Sequence, residues 1–307
     1  HADDNDYLTI LRALGKECLG AIKITDSNDD SEELFFYEKL SLDQVRALAK
    51  EGTSRSAEYV TKSHLSLAGA SGKVGLYYDR KSSEWYLPIG NAPSTHIVKQ
   101  SHIRLESIVC NEQLALKTAE KLGINVPISF VLNTGNNGDH EVLLATERYD
   151  RFFDMEKKTK DGLPIPNRLH QEDFAQCLGI PASNKYEISG KHYMKSMFDI
   201  LRTYSSNPIE DQLRLWDIIV FNYLIGNTDG HIKNFSLIYS NDMKDIRLAP
   251  AYDLLSTIVY ESSTRNMSFS IDGEYSIDKI TTDNFVNAAK KVGISKKIAL
   301  SRFDKLK

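Results

Sequence analysis

Between residues 64 and 90, HLSLAGASGKVGLYYDRKSSEWYLPIG, apolar positions recur at every second residue: Leu65 with Leu67, then Val74, Leu76 and Tyr78. A period of two sets one face of an extended chain against a core. The stretch therefore predicts strands, with Gly69, Gly72 and Gly75 between or within them. STHIVKQ (94–100) adds a short strand, and VPISFVL (126–132) and EVLLATERYD (141–150) add two more. One helical pattern interrupts them, SIVCNEQLALKTAEKLG (107–123), ended by Gly123 at its C′ position. Upstream, the polar, acidic TDSNDDSEE (25–33) reads as a loop. SLDQVRALAKEG (41–52) reads as a short helix with Ser41 and Gln44 as a capping box and Gly52 as its stop.

Beyond residue 165 the period changes to that of helices: QEDFAQCLG (171–179), KHYMKSMFDILRTYS (191–205) and IEDQLRLWDIIVFNYLIG (209–226). The last is apolar nearly all round, which predicts the central buried helix of this half. FSLIYSNDMKDIRLAPAYD (235–253) reads as strand, polar turn, strand. TDNFVNAAKKVG (282–293) reads as a helix with Thr282 or Asp283 as N-cap and Gly293 at C′. The expectation is an α+β protein with a β-rich half, a helix-rich half and a cleft between two lobes.

Composition narrows the class. The chain has 307 residues, 41% apolar and 26% charged, with a net charge of −4. That balance offers no large nucleic-acid footprint. Cys18, Cys110 and Cys177 stand far apart, make no metal-binding pair and read as reduced thiols of an intracellular protein. No apolar run approaches the ~18 residues of a membrane span, and the acidic start HADDNDYLTI lacks a signal-type apolar region. The chain opens without Met and stops inside the helix-like SRFDKLK, so a fragment, or a chain described without its ends, is expected.

The chemistry concentrates at NTDGHIKN (227–234), where the apolar helix meets the next strand. Asp229 and Asn234 stand in the D-x-x-x-x-N spacing of a kinase catalytic loop, where Asp takes the acceptor proton and Asn ligates a metal. The hairpin that starts at Asn234 returns a second carboxylate, Asp253, 19 residues later, in the role of a metal-binding aspartate. Lys99 ends an apolar strand, either as a solvent-facing lysine or as the cation for phosphates. Glu112 sits in the apolar stripe Ile108, Glu112, Ala115, Ala119, Leu122, either paired with Lys99 or at the stripe's edge. In ATERYD (145–150) Tyr149 offers a face for adenine and Asp150 a carboxylate for ribose, against the alternative of surface ion pairs. SLAGASGK (66–73) offers a glycine-rich loop but fits neither G-x-x-x-x-G-K-[ST] nor G-x-G-x-x-G. HExxH, calcium-loop and G-x-S-x-G patterns are absent from the sequence.

These blocks, in this order, resemble the HipA family of bacterial toxin kinases. LSLAGASGK, THIVK, NEQLALKTAEKLGINVP, ERYDR, LHQEDFAQCLGIPASNKYE, LIGNTDGHIKNFSL, LAPAYDLLS and NMSFSIDG all take part, from about residue 7 to 294. The resemblance implies a bilobal, protein-kinase-like fold with a β-rich N-lobe and a helix-dominated C-lobe carrying a catalytic hairpin. Residues 1–60 would end an N-terminal subdomain, 61–149 form the N-lobe and 150–307 the C-lobe. It implies Ser/Thr protein kinase activity with ATP and Mg2+: Asp229 catalytic, Asn234 and Asp253 on magnesium, and Lys99 on the phosphates. Glu147, Tyr149 and Asp150 would line the adenosine pocket, with His231, Gln171 and Tyr252 as neighbours of the nucleotide. Ser66 matches the serine that the family autophosphorylates, which ejects its loop and silences the enzyme.

The resemblance further implies a cytoplasmic bacterial protein that phosphorylates an aminoacyl-tRNA synthetase and arrests translation. Its partner would be a HipB-like helix-turn-helix antitoxin, with operator DNA contacted mainly through that antitoxin. Two alternatives belong beside this reading. One is a kinase-fold phosphotransferase for a lipid or small molecule, since D-x-H-x-x-N is close to phosphoinositide-kinase lettering. The other is a non-catalytic corepressor acting with its antitoxin.

Overall fold

The computed structural model describes residues 20–22, 35–41, 43–45, 73–100, 105–134 and 142–307. They form two compact units, one of His1–Cys110 with Ile128–His170, the other of Asn111–Pro127 with Gln171–Lys307.

The first unit is built on a six-stranded antiparallel sheet. Its strands are β1 (Phe35–Leu40), β2 (Lys73–Asp79), β3 (Glu84–Gly90), β4 (His96–Gln100), β5 (Ser129–Asn133) and β6 (Val142–Glu147), in the order β1-β3-β2-β4-β6-β5. The period-two reading holds where it matters: Val74 and Leu76 are fully buried and pack with Trp85, Leu87, Val98, Leu143 and Ala145. Alternation puts this apolar set on one face of the pleat. A second hairpin, β7 (Arg151–Lys158) with β8 (Pro164–Arg168), follows the sheet. The expected capping box ahead of the first helical turn is present: the Ser41 N–H donates to Gln44 Oε1 (2.6 Å) and the Gln44 N–H to Ser41 Oγ (3.2 Å). Its expected stop, Gly52, lies outside the described residues, as do Leu65, Leu67 and the 66–72 loop with Ser66.

Helix α1 (Ile108–Lys121) ends as expected, with Gly123 left-handed at φ +82°. From Asn111 onward it belongs to the second unit. Two contacts explain why: Asn111 Oδ1 accepts from the Ser256 N–H (2.9 Å), and the Asn125 carbonyl accepts from the Ala251 N–H (2.8 Å).

In the second unit the helix expected over 171–179 is instead a strand, β9 (Gln171–Asp173), followed by one turn of helix, α2 (Phe174–Cys177). Pairing along β10 (Ser236–Tyr239) overrides helical propensity here, with Gln171 opposite Ile238. Asp173 then starts the helix as N-cap of a capping box with Gln176. Helices α3 (Tyr193–Tyr204) and α4 (Pro208–Ile225) fall where the periodicity sets them. The α4 helix has Pro at its start and Glu210 and Asp211 in its first turn. It buries Leu215, Trp216, Ile218, Ile219, Val220 and Phe221, which confirms it as the core helix. The expected catalytic hairpin is β10 with β11 (Ile246–Leu248), antiparallel, so β9, β10 and β11 form one three-stranded sheet.

A tighter hairpin, β12 (Asn266–Ile271) with β13 (Glu274–Ser276), turns at Asp272 and Gly273, both at positive φ. Helix α5 (Thr282–Lys291) is capped by Thr281, one residue before the expected cap, because Asn284 rather than a later residue closes the box. Gly293 is left-handed after it, and α6 (Lys296–Leu306) closes the described chain. Among the described residues no helix is long and apolar enough to cross a membrane, and Cys110 and Cys177 stand outside any disulfide.

Candidate active site

Helix α4 stops at Gly226, left-handed at φ +72°. No other residue fits: a Cβ there would lie 2.3 Å from Ile258 Cδ1. The chain then turns through Asn227–Asn234 before β10, and almost every polar group of this turn is tied down. Thr228 donates its N–H to Thr257 Oγ1 (2.7 Å), its hydroxyl bonds the same oxygen (2.7 Å), and its carbonyl accepts from the Ser268 hydroxyl (2.7 Å). Thr257 in turn donates to the Gly226 carbonyl (3.0 Å).

Asn227 is the hub. It is 1% exposed, so an unmade bond could not be replaced by water. Its Nδ2 donates to Asn222 Oδ1 (2.7 Å) and to the Asp253 carbonyl (3.2 Å), while its Oδ1 accepts from the Asp229 N–H (3.2 Å). One side chain thus couples the last turn of α4, Asp229 and Asp253. Asn234 Nδ2 donates to the Asp229 carbonyl (3.1 Å). That bond occupies the amide nitrogen, so the oxygen is the atom of this carboxamide that can serve as a ligand.

Asp253 stands at φ +52°, a strained conformation for a non-glycine residue of the kind that collects at functional sites. The charges of Asp229 and Asp253 both act on His231. Burial pulls His231 below its ordinary pKa, helped by Lys185 and opposed by Asp229 and Asp253. Its Nδ1 is buried without a hydrogen-bond partner among the described residues. Tyr252 braces the floor of the loop, its hydroxyl donating to the Lys233 carbonyl (2.9 Å) and bonding Ser236 Oγ (2.5 Å). Lys233, inside the motif, is engaged by Asp173 at 2.7 Å. Gln171 is buried on β9, directly across from Ile238.

Asp229, Asn234, Asp253, His231 and Tyr252 therefore meet in one loop-and-hairpin assembly, with Gln171 on the strand beside it. The other expected residues belong to other elements. Glu112 is buried on α1 in the second unit; Lys99, Glu147, Tyr149 and Asp150 belong to the first. There, β2 and β4 set Lys73 directly opposite Lys99. Cross-strand neighbours leave the sheet on the same face. Glu147 pairs with Arg80 at 2.5 Å, and Tyr149 is half-buried at the strand end.

The Asp150 carboxylate, 1% exposed, is clamped by Arg148 through both oxygens (2.9 and 2.7 Å) and paired with Arg151 (3.0 Å). Burial pushes its pKa up, but the two guanidiniums overcome this and hold it at about 2. These ion pairs hold together the turn after β6.

The donor set fits a magnesium ion. A carboxylate at Asp253 and a carboxamide oxygen at Asn234 are hard oxygen ligands, and Mg2+ needs only one or two carboxylates when phosphate oxygens and water complete its shell. Among the described residues no group of three or more His, Cys, Asp or Glu is placed to hold a metal ion.

Sequence reasoning missed Asn227, Tyr186 and Thr257. Asn227 was visible inside the motif, but nothing in its spacing pointed to Asp253. Tyr186 lies 43 residues before Asp229, to which it bonds.

The fold and this loop define a class, the α+β, kinase-like proteins. The chain belongs to the HipA-like C-terminal domain family, whose model matches residues 65–307. It is 32% identical, over 98% of its own length and 70% of the relative's, to Y4mE of Sinorhizobium fredii, a protein named as a kinase. It is 26% identical, over 97% of its length and 67% of the relative's, to the serine/threonine-protein kinase toxin HipA of Shewanella oneidensis. Among solved structures it matches a chain of the Shewanella oneidensis HipA, HipB and operator DNA complex, with a TM-score of 0.79 at 23% identity. That match covers 99% of this chain and 70% of the other, and it establishes the fold.

Proposed function

We propose that this chain is an ATP-dependent Ser/Thr protein kinase that uses Asp229 as its catalytic aspartate. One observation carries the reading: Asn227 ties Asp229 to Asp253 while Asn234 is bonded back to the Asp229 carbonyl through its amide nitrogen. A carboxylate for the acceptor proton and two oxygen ligands for a metal thus share one rigid support.

In this reading the acceptor hydroxyl attacks the γ-phosphorus of ATP. The bond from that phosphorus to its bridging oxygen breaks, ADP leaves, and the hydroxyl proton passes to Asp229. Asn234 and Asp253 would hold Mg2+, which supplies the positive charge that the phosphates need. Lys99 is assigned to the phosphates, and Glu147, Tyr149 and Asp150 to the adenosine pocket. His231, Gln171 and Tyr252 are assigned to the nucleotide's surroundings, and Glu112 remains the candidate partner of Lys99. Ser66 is assigned as the site of self-inactivating phosphorylation.

The wider role follows the relatives. We assign the chain to a type II toxin–antitoxin module as a cytoplasmic toxin with a HipB-like antitoxin, and through it operator DNA. An aminoacyl-tRNA synthetase is the assigned protein substrate. The name of the Shewanella relative and the composition of its solved complex support the toxin and antitoxin assignments, and the synthetase substrate rests on the family resemblance alone.

The test is intact mass after incubation with ATP and magnesium, together with labelled transfer in a bacterial lysate. Asp229→Gln should abolish transfer, a loss of at least about 10²–10⁴, while thermal stabilisation by ATP and magnesium persists. Full transfer by that variant ends the assignment. Label entering lipid or a small metabolite instead of protein moves the acceptor class.

A further inference from the structure

The segment just before α3 carries three adjacent residues, Lys185, Tyr186 and Glu187, of which Tyr186 bonds this loop. Glu187 anchors it: its carboxylate accepts from the Tyr193 N–H (2.7 Å), the Ser270 N–H (2.9 Å) and the Tyr275 hydroxyl (2.7 Å). The segment is thereby fixed to the start of α3 and to the β12–β13 hairpin. The Tyr193 hydroxyl adds a bond to the Asn184 carbonyl (2.8 Å). On this platform Lys185 sits over the Tyr186 ring, 4.9 Å from its centroid, and the ring meets His231 edge-on at 5.7 Å. The Tyr186 hydroxyl then reaches the Asp229 carboxylate and donates to Oδ1 at 2.6 Å.

Resting on the kinase reading above, we propose that Tyr186 is a positioning residue for the catalytic aspartate. Its hydroxyl holds Oδ1, so that Oδ2 alone meets the acceptor hydroxyl. Asp229 needs this external hold. Its backbone is pinned by Asn227, Asn234 and the His231 N–H, which donates to its carbonyl (2.7 Å). None of those bonds stops the carboxylate from turning about its own side-chain torsions. A short hydrogen bond to an ionised acceptor is a strong one. Burial and the Asp229 bond both raise the Tyr186 phenol above its ordinary pKa, so it remains a donor at neutral pH. In phosphoryl transfer the protein contributes chiefly by orientation, so a carboxylate held in one rotamer affects turnover rather than binding.

Tyr186→Phe removes the hydroxyl and keeps the ring contacts with Lys185 and His231. It should lower kcat about 10-fold, leaving KM for ATP and the affinity for a fluorescent ATP analogue within about twofold. A thermal-melt cycle of wild type, Tyr186→Phe, Asp229→Asn and the double variant reads the pair without turnover. Non-additive Tm shifts of about 1–4 °C are expected. Wild-type kcat in Tyr186→Phe, with loss only in Tyr186→Ala, makes the ring structural and overturns the inference, as does an additive cycle. A wild-type chain that transfers no phosphate overturns the kinase reading itself, and a non-additive cycle in that chain would show that the contact is real.

Discussion

The side chain of Asn227 donates to the backbone carbonyl of Asp253, 26 positions downstream. The strained aspartate and the loop that carries Asp229 are therefore held by one carboxamide, so their spacing is set by a covalently rigid group. Flexible side chains meeting in solvent would not fix it so closely.

Asn227→Ala removes that coupling. It leaves the Asn222 oxygen, the Asp229 N–H and the Asp253 carbonyl without this partner in a buried place. The expected loss is about 1–3 kcal/mol for each group left unsatisfied, read as a fall in urea midpoint at unchanged m. Phosphate transfer should drop at least about 10²-fold. An unchanged midpoint would remove Asn227 from its role as hub.

Gly226→Ala tests the exit from α4. The new methyl meets Ile258 at 2.3 Å on a backbone at φ +72°. Strain and overpacking together should cost about 2–5 kcal/mol. Gly190→Ala is the control, because its φ is +78° but nothing lies within 4 Å of the added Cβ. Only the backbone share of about 1–2 kcal/mol is expected there. Adding Ile258→Ala to Gly226→Ala should relieve the clash and leave the backbone strain.

Asp211 is fully buried and accepts from the Ser205 hydroxyl (2.7 Å), the Leu248 N–H (2.9 Å), Arg247 Nε (3.0 Å) and Arg214 Nη1 (2.9 Å). It ties the first turn of α4 to β11. Asp211→Ala leaves the buried Leu248 N–H and the Ser205 hydroxyl without this acceptor, while Arg247 keeps Glu210 (2.7 Å), so a loss of about 1–3 kcal/mol per buried group is expected in denaturant melts. Retained stability would mean that water replaces the carboxylate.

Acid sensitivity of the first unit follows from two groups. Burial, with the positive charge of Arg80, lowers His96 from 6.5 to about 4. The unfolded chain binds its proton first, so stability is present above pH 6.5 and is lost as pH falls towards 4. The scale is on the order of 3 kcal/mol. Asp150, lowered from 3.8 to about 2, adds a second loss below pH 4. Tm against pH should therefore fall in two steps, and His96→Gln should flatten the first. A flat Tm between pH 6.5 and 4 in the wild type contradicts the burial of His96.

Much of the local architecture was legible in the sequence. Val74 and Leu76 alternate, and both are buried. Gly123 and Gly293 stop their helices in the left-handed conformation, and the all-round apolar α4 is the core helix. The 171–179 segment was not legible, because Gln171–Asp173 takes its conformation from β10, more than 60 positions away. Thr281 was missed as a cap because Thr282 and Asp283 offer equally suitable side chains. Asp150 carried a surface-like, charged lettering, yet Arg148 and Arg151 draw it into the interior.

By itself the sequence determined the periods, the caps and the order of motif blocks that resembles one family, since each depends on residues a few positions apart. Only the tertiary structure decided that Asn227 bridges Asp229 and Asp253 and that Tyr186 reaches Asp229. It also decided that the carboxylate of Asp150 is enclosed by arginines. Hydrogen bonds act over about 3 Å in space, and chain spacing says nothing about which distant groups burial will bring that close.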